Sequence, residues 1–372
     1  MPSPSARRSK PAHTLTPLAA AFFCGIIAFS ILPLLGCGGL PTPWLPGDAA
    51  VEAENAESLE SNQRITRVPI PAENVPVVDT LKLVGDIGNA PLPYADLNCP
   101  GSSGRVSYSF YISAVEVTNE DYATFLNAVA SKNDPGGLYD DRMGFSLLGG
   151  IQKTETSAGF VYSIRANMTN KPVNFISWEC AAQFCNWLQH GRPTGPGAAD
   201  ATLRGTYDLT LDNPYLQAVR APGAVWALPS GDEWIKAALF DPTRPTADKY
   251  WTYATRSDVA PIAATASSSG VISNPGPNVV NYLRTANWNG ATLGDVTSVG
   301  SAGAASASYY GLMDMHGNVG EWSEKIDCAD PVGRYILGGS YYNMILTGPI
   351  GAPVDPNHRA PTIGFRIVFI PG

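Results

Sequence analysis

Charged side chains are scarce in this chain: Asp, Glu, Lys and Arg make up 15% of its 372 residues, against about 25% in an ordinary soluble domain. The basic ones form no stripe, which excludes a nucleic-acid surface. Histidine is scarcer still, with four in all. Three of them, His190, His316 and His358, lie beyond the N-terminal segment, too scattered to suggest the histidine triad of a non-haem iron centre. No Walker-type or dinucleotide-binding glycine pattern is present, and no internal repeat. Six cysteines are present, of which Cys24 and Cys37 fall in the N-terminal segment. Cys180 and Cys185 stand five apart on one expected helix, a poor geometry for pairing, and read as core thiols. Cys99 and Cys328 remain as a pair that an oxidising compartment would allow.

Abundance lies elsewhere. The 37 glycines and 32 prolines are about 19% of the chain against about 12% in average usage, which suits a loop-rich globule. Eight tryptophans and an aromatic content of 10% supply a large core and exclude a disordered chain. At the N-terminus, Arg7, Arg8 and Lys10 precede an apolar stretch from Leu15 to Leu35, the pattern of an export signal. It ends in Leu34-Leu35-Gly36-Cys37, which resembles a bacterial lipobox with Cys37 as the lipidated first mature residue. An uncleaved membrane anchor and plain secretion are the alternatives, since about 20 apolar residues span a bilayer. All three place the rest of the chain outside the cytoplasm, and Gly38 after the cysteine favours an outer-membrane lipoprotein. Cleavage after residue 36 removes three cations and no acid from a net charge of −8, leaving −11. The expected organisation is an export segment over 1–36, a Pro-, Ala- and Glu-rich tether over 37–75, and a globular domain over 76–372.

Within that domain, Val106, Tyr108, Phe110 and Ile112 alternate with serines, the period of a half-buried strand. Thr118 and Asp121 predict a helix start, followed by the apolar stripe Tyr122, Phe125, Leu126 and Val129. A second helix is expected from Ser177, and a third from the capping box Ser230-Gly-Asp-Glu233. The stretch from Asp241 to Tyr309 has little periodicity and implies a metal ion or functional surface that organises it. The closing run Phe365-Arg-Ile-Val-Phe-Ile370 reads as a central strand.

Several blocks in order carry a resemblance over residues 105–370. They are Glu116-Val-Thr-Asn119 with Tyr122 and Phe125; Pro172-Val173 through Ser177-Trp178 to Cys185-Asn186-Trp187; Leu228-Pro229-Ser230 with Glu233-Trp234; Tyr310 to Trp322; Gly338-Gly339-Ser340; and Gly364-Phe365-Arg366. Together they resemble the sulfatase-modifying-factor family, named for the formylglycine-generating enzyme that oxidises a cysteine inside sulfatases. The resemblance implies an α/β (α+β) domain, an elaborated C-type-lectin-like fold with short helices, small antiparallel sheets and much irregular chain. It also implies structural calcium. Asp314 and Glu321 match side-chain ligands and Gly317 and Val319 match carbonyl ligands of one site; Asn287, the Trp288 carbonyl and Asp295 resemble a second site with irregular spacing. His316, inside the first loop, is expected to face solvent.

Copper chemistry is where the resemblance fails. The family's two copper cysteines follow the Gly-Gly-Ser block, and here those positions fall on Asn343 and near Gly348, neither of which supplies a thiolate. The aromatic usual before Glu-Trp is Gly320. Cys185 matches a position that pairs with the terminal strand, where Ile367 now stands. The reading is therefore an extracytoplasmic, lipid-anchored binding or structural module of the cell envelope, without copper and without oxidase activity. Its expected surface is Tyr341 to Pro361, with Tyr341, Tyr342, Asn343, His358 and Arg359 as contacts for an envelope protein, peptide or glycan; the two tyrosines read equally well as cover for the calcium loop. The alternatives are an oxidoreductase acting on protein cysteine, or another enzyme on the scaffold, including a hydrolase drawn from Ser340, His358 and Asp355.

Overall fold

Three serine or threonine hydroxyls start the three main helices. The structure, a computed structural model, describes residues 80–93, 103–326, 333–344, 346 and 351–372. The export segment, Cys37, the tether, Cys99, Cys328 and Gly348 lie outside the described residues. Helix α1 (Asn119–Val129) opens with a reciprocal capping box between Thr118 and Asp121. Single-turn α2 (Arg142–Phe145) follows, then α3 (Trp178–Gln189), capped by Ser177. After the short α4 (Pro214–Gln217), α5 (Gly231–Leu239) opens with the Ser230–Glu233 box. Each such cap satisfies backbone N–H groups that the first turn leaves unpaired, worth about 1 kcal/mol.

The strands are short: β1 (Leu81–Val84), β2 (Phe110–Ser113), β3 (Ile151–Thr156), β4 (Gly159–Ile164), β5 (Trp226–Ala227), β6 (Ile262–Ala263), β7 (Val279–Val280), β8 (Gly320–Ile326), β9 (Arg334–Leu337), β10 (Gly351–Val354), β11 (Ile363–Gly364) and β12 (Val368–Phe369). One sheet has the order β1-β2-β12-β5 and a second β10-β9-β8-β11, with β3-β4 and β6-β7 as separate pairs. The closing segment does supply an interior strand, β12, between β2 and β5. Two expectations change. β11 runs parallel to β8 and β6 parallel to β7, so the sheets are not all antiparallel. The strand expected from Val106 begins at Phe110, because Val106 spends its backbone on Asn89 Oδ1 and on the Gly88 N–H.

The apolar stripe of α1 packs on α3 through interlocking rings. Phe125 meets Phe184 at 5.3 Å and Trp187 at 5.2 Å between centroids, and Phe184 meets Phe365 at 5.4 Å. Phe365 thus ties the helices to the terminal strand segment that places Arg366 and the second sheet's edge. Such pairs add about 0.5–1.5 kcal/mol each beyond their burial.

The segment 241–309 is organised by small satellite cores rather than by long elements. Tyr253, Val280, Tyr282 and Leu346 form one, and Val296, Val319 and Tyr341 another. Between them runs a buried chain of hydrogen bonds. Asn318 donates to Glu116 Oε1 (3.0 Å) and accepts from Asn281 (3.1 Å) and from the Thr297 N–H (2.9 Å), while Asn281 also donates to the Asp295 carbonyl (2.9 Å).

Candidate functional site

Gly338 and Gly339 take left-handed backbone (φ 91° and 67°), and a Cβ on Gly338 would lie 2.7 Å from the Met315 carbonyl. Only glycine meets both demands. The bend delivers Ser340 into a tight turn closed by Asn343, whose Oδ1 accepts from the Ser340 N–H (2.8 Å) and hydroxyl (3.0 Å). The residue at the first copper-cysteine position is therefore a turn-closing amide. At Gly320, a Cβ would meet Ile336 Cγ2 at 2.5 Å, so the room near the family's aromatic is filled from the neighbouring strand β9.

Two consecutive non-glycine residues, Leu283 and Arg284, sit in left-handed backbone at φ 60°, a strain of about 1–3 kcal/mol each that tends to gather at functional sites. Their N–H groups donate to the Asn343 and Tyr341 carbonyls, both at 2.9 Å. Arg284 then lays its guanidinium on the Tyr342 ring, 3.6 Å from carbon to centroid, and its Nε donates to the Tyr342 carbonyl (3.1 Å). Beside this lies a recess of about 580 Å³ walled by residues 146–148, 290–294, 341–342 and 361–362, a size typical of ligand sites. The Asn289 side chain ties its two walls by donating to the Leu147 carbonyl (2.7 Å).

The expected contact residues divide. Tyr342 is 42% exposed and lines the recess, whereas Tyr341 is 2% exposed and belongs to the core with Val296 and Val319, showing the recess only part of its ring. Burial pushes the Tyr341 hydroxyl pKa up, with Asp295 adding to the effect. His358 and Arg359 do not line the recess; Arg359 Nη2 donates to the Gly137 carbonyl (2.7 Å) and contacts Cys180 Sγ (3.1 Å). The drawn hydrolase is not assembled, since Ser340 Oγ is held by Asn343 and His358 is exposed, with its backbone N–H donating to the Asp355 carbonyl. Cys180 and Cys185 are buried and free, and desolvation raises both thiols, so neither is poised as a thiolate.

His316 is a correction: it is 2% exposed, flanked by the rings of Trp234 and Tyr253, and its Nδ1 accepts from the Ala254 N–H (3.3 Å). The first set expected for calcium is built around an ion pair. Glu321 has no exposed surface and forms a bidentate pair with Arg366 (Oε2–Nε and Oε1–Nη2, both 2.6 Å), and its Oε2 also accepts from Trp234 Nε1 (2.7 Å). Its charge is paired with a guanidinium inside the fold. Of its companions, Asp314 Oδ2 accepts from the Gly300 N–H (2.5 Å), the Gly317 N–H donates to the Gly338 carbonyl (3.0 Å), and Val319 packs in the core. Desolvation raises the Asp314 pKa to about 6 against the pull of the Gly300 N–H and Arg366.

The second set fits calcium at one oxygen. Asn287 Oδ1 accepts from the Gly294 N–H (2.8 Å) and the Trp288 carbonyl from the Ala291 N–H (2.8 Å), closing the 287–294 loop. Asp295, fully buried, accepts from the Val296 N–H at Oδ1 (2.7 Å), and its Oδ2 has no hydrogen-bond partner. Desolvation carries its pKa up to about 7 despite the nearby Lys171 ammonium. Among the described residues no group of three or more His, Cys, Asp or Glu side chains gathers as a metal centre.

Sequence reasoning missed Arg284, Leu147 and Leu293. The available signal was the placing of exposed leucines (55% each) inside glycine-rich stretches that have no periodicity to bury them.

No curated protein matches the chain. Among solved structures, Treponema denticola variable protein 1 is 20% identical over 78% of this chain and 94% of its own, with a TM-score of 0.43. CarF is 18% identical over 78% and 97%, with a TM-score of 0.43. PvdO from Pseudomonas aeruginosa is 14% identical over 75% and 89%, with a TM-score of 0.35. The family profile of the sulfatase-modifying factor enzyme 1-like domain matches residues 85–370, and the chain belongs to that family.

Proposed function

We propose that this family member is an extracytoplasmic, lipid-anchored binding module of the cell envelope that has lost copper-dependent cysteine oxidation. The observation that carries the reading is Asn343. It stands where a copper thiolate would stand, and its side chain is committed to the Ser340 turn. Copper(I) needs soft thiolates, and an amide already accepting two hydrogen bonds is no substitute. The raised thiols of Cys180 and Cys185 support the same conclusion. The strained Leu283-Arg284 pair and the recess beside Tyr342 support binding as the remaining use of this face. A peptide suits the recess best, because extended chain reaches an open site flanked by exposed Leu147 and Leu293. The direct test is copper-dependent oxidation of a cysteine peptide by the purified chain, for which no conversion is expected.

The envelope location rests on the Leu34–Cys37 block, and among the described residues no helix is long and apolar enough to cross a membrane. Cys37→Ser is expected to move the protein from the membrane pellet to the soluble extracytoplasmic fraction. Unchanged fractionation would replace the lipid anchor with a spanning one.

A further inference from the structure

From the geometry of Arg284 we infer that the recess takes an acidic peptide segment: an apolar side chain enters between Leu147, Leu293 and Tyr342, and an adjacent Asp or Glu carboxylate meets Arg284. The inference rests on the binding reading above and names its ligand. Among the described residues no Asp, Glu, Lys, Arg or His lines the recess, so its interior suits an uncharged group. Among the described residues one cation, Arg284, stacks on a lining tyrosine, while Arg165 reaches the wall through the Ser146 carbonyl. Arg284 lies 3.6 Å from the Tyr342 ring centroid and uses its Nε on the Tyr342 carbonyl (3.1 Å). No acidic side chain pairs with it among the described residues.

Stacking and the Nε bond fix the guanidinium plane before any ligand arrives, which reduces the entropy lost on binding. The two Nη groups remain to grip both oxygens of a carboxylate. One guanidinium with no second cation in the lining matches a monoanion better than a dianionic phosphate. The left-handed backbone at Leu283 and Arg284 is what aims the side chain across Tyr342, giving the local strain a purpose.

The test uses the full chain and two libraries of labelled hexapeptides blocked at both ends. In one, Phe or Leu stands beside Asp or Glu; in the other, the acids are replaced by Asn or Gln. Binding is read by fluorescence anisotropy at low salt. Acidic peptides are expected to bind at least about tenfold more tightly than their amide counterparts, and Arg284→Gln is expected to erase that difference. Leu293→Asp, a change at an exposed position, should weaken acidic peptides and provides a second reading if Arg284→Gln fails to fold. Equal binding of acid and amide peptides that remains sensitive to Leu293→Asp would overturn the carboxylate inference and leave the peptide recess standing. No binding in either library would overturn both.

Discussion

Replacing Arg366 with leucine is expected to destabilise the domain by about 3–5 kcal/mol, because it strands a buried carboxylate. Arg366 and Glu321 are both fully buried and joined by two 2.6 Å contacts. The same guanidinium donates to the Ser113 carbonyl (2.9 Å) and the Met313 carbonyl (3.1 Å), stitching β2 and the loop before β8 to the terminal segment. Its charge also lowers the raised pKa values of Glu116 and Asp314, two further buried acids. Leucine would therefore leave three carboxylates without their shared cation. Chemical denaturation of the single variants and of Arg366→Leu with Glu321→Leu measures the coupling, and the double variant should cost much less than the sum of the singles. A loss below about 1 kcal/mol for Arg366→Leu would mean the pair is not holding the domain together. Chelation should not reproduce the variant's effect, since Glu321 is neutralised by arginine. A matching loss on chelation would return Glu321 to a calcium site.

Asp295→Asn is expected to raise stability at pH 8 by up to about 4 kcal/mol and to flatten its dependence on pH. The acid is fully buried with its pKa raised to about 7. In the unfolded chain it ionises near pH 4. Stability from the protonated form is thus complete below about pH 4, falls as the unfolded state loses its proton, and levels off once pH passes about 7. Asparagine has no proton to lose and keeps an oxygen for the Val296 N–H. Thermal melts from pH 4 to 8 should show the downward slope in the native protein and its loss in the variant. Calcium gives the same experiment a second use. An ion on Asp295 Oδ2 would hold the carboxylate ionised, so added calcium would stabilise the native protein at pH 8 and not the variant. No response to calcium would remove Asn287, the Trp288 carbonyl and Asp295 as a site.

The helices were legible because their signals are local. Thr118, Ser177 and Ser230 each cap within three residues, and the stripe from Tyr122 to Val129 needs no distant information. The family blocks were legible for the same reason, and the profile over residues 85–370 covers them. Long-range competition was not legible. Val106 alternates like a strand residue, yet Asn89 and Gly88 claim its backbone before the sheet does. Glu321 matches a calcium ligand in sequence, and nothing local there announces its pairing with Arg366, 45 residues away. His316 sits in a loop of glycine and asparagine that suggests solvent, while the rings that cover it come from Trp234 and Tyr253. The adjacent tyrosines differ only in burial, so a pattern of residue types could not tell buried Tyr341 from exposed Tyr342. Arg284 is recognisable only once the Tyr342 ring is beneath it.

The most direct test of the lost oxidase chemistry is made on the purified full chain, supplied with copper(I), oxygen and a peptide carrying a sulfatase-type cysteine. Peptide mass is followed over time, and copper retained by the protein is measured after desalting. Unchanged peptide and no stoichiometric copper are the expected results, because Asn343 and Gly348 offer no thiolate. Conversion of the cysteine to an aldehyde would contradict the account and place an oxidising centre elsewhere in this chain.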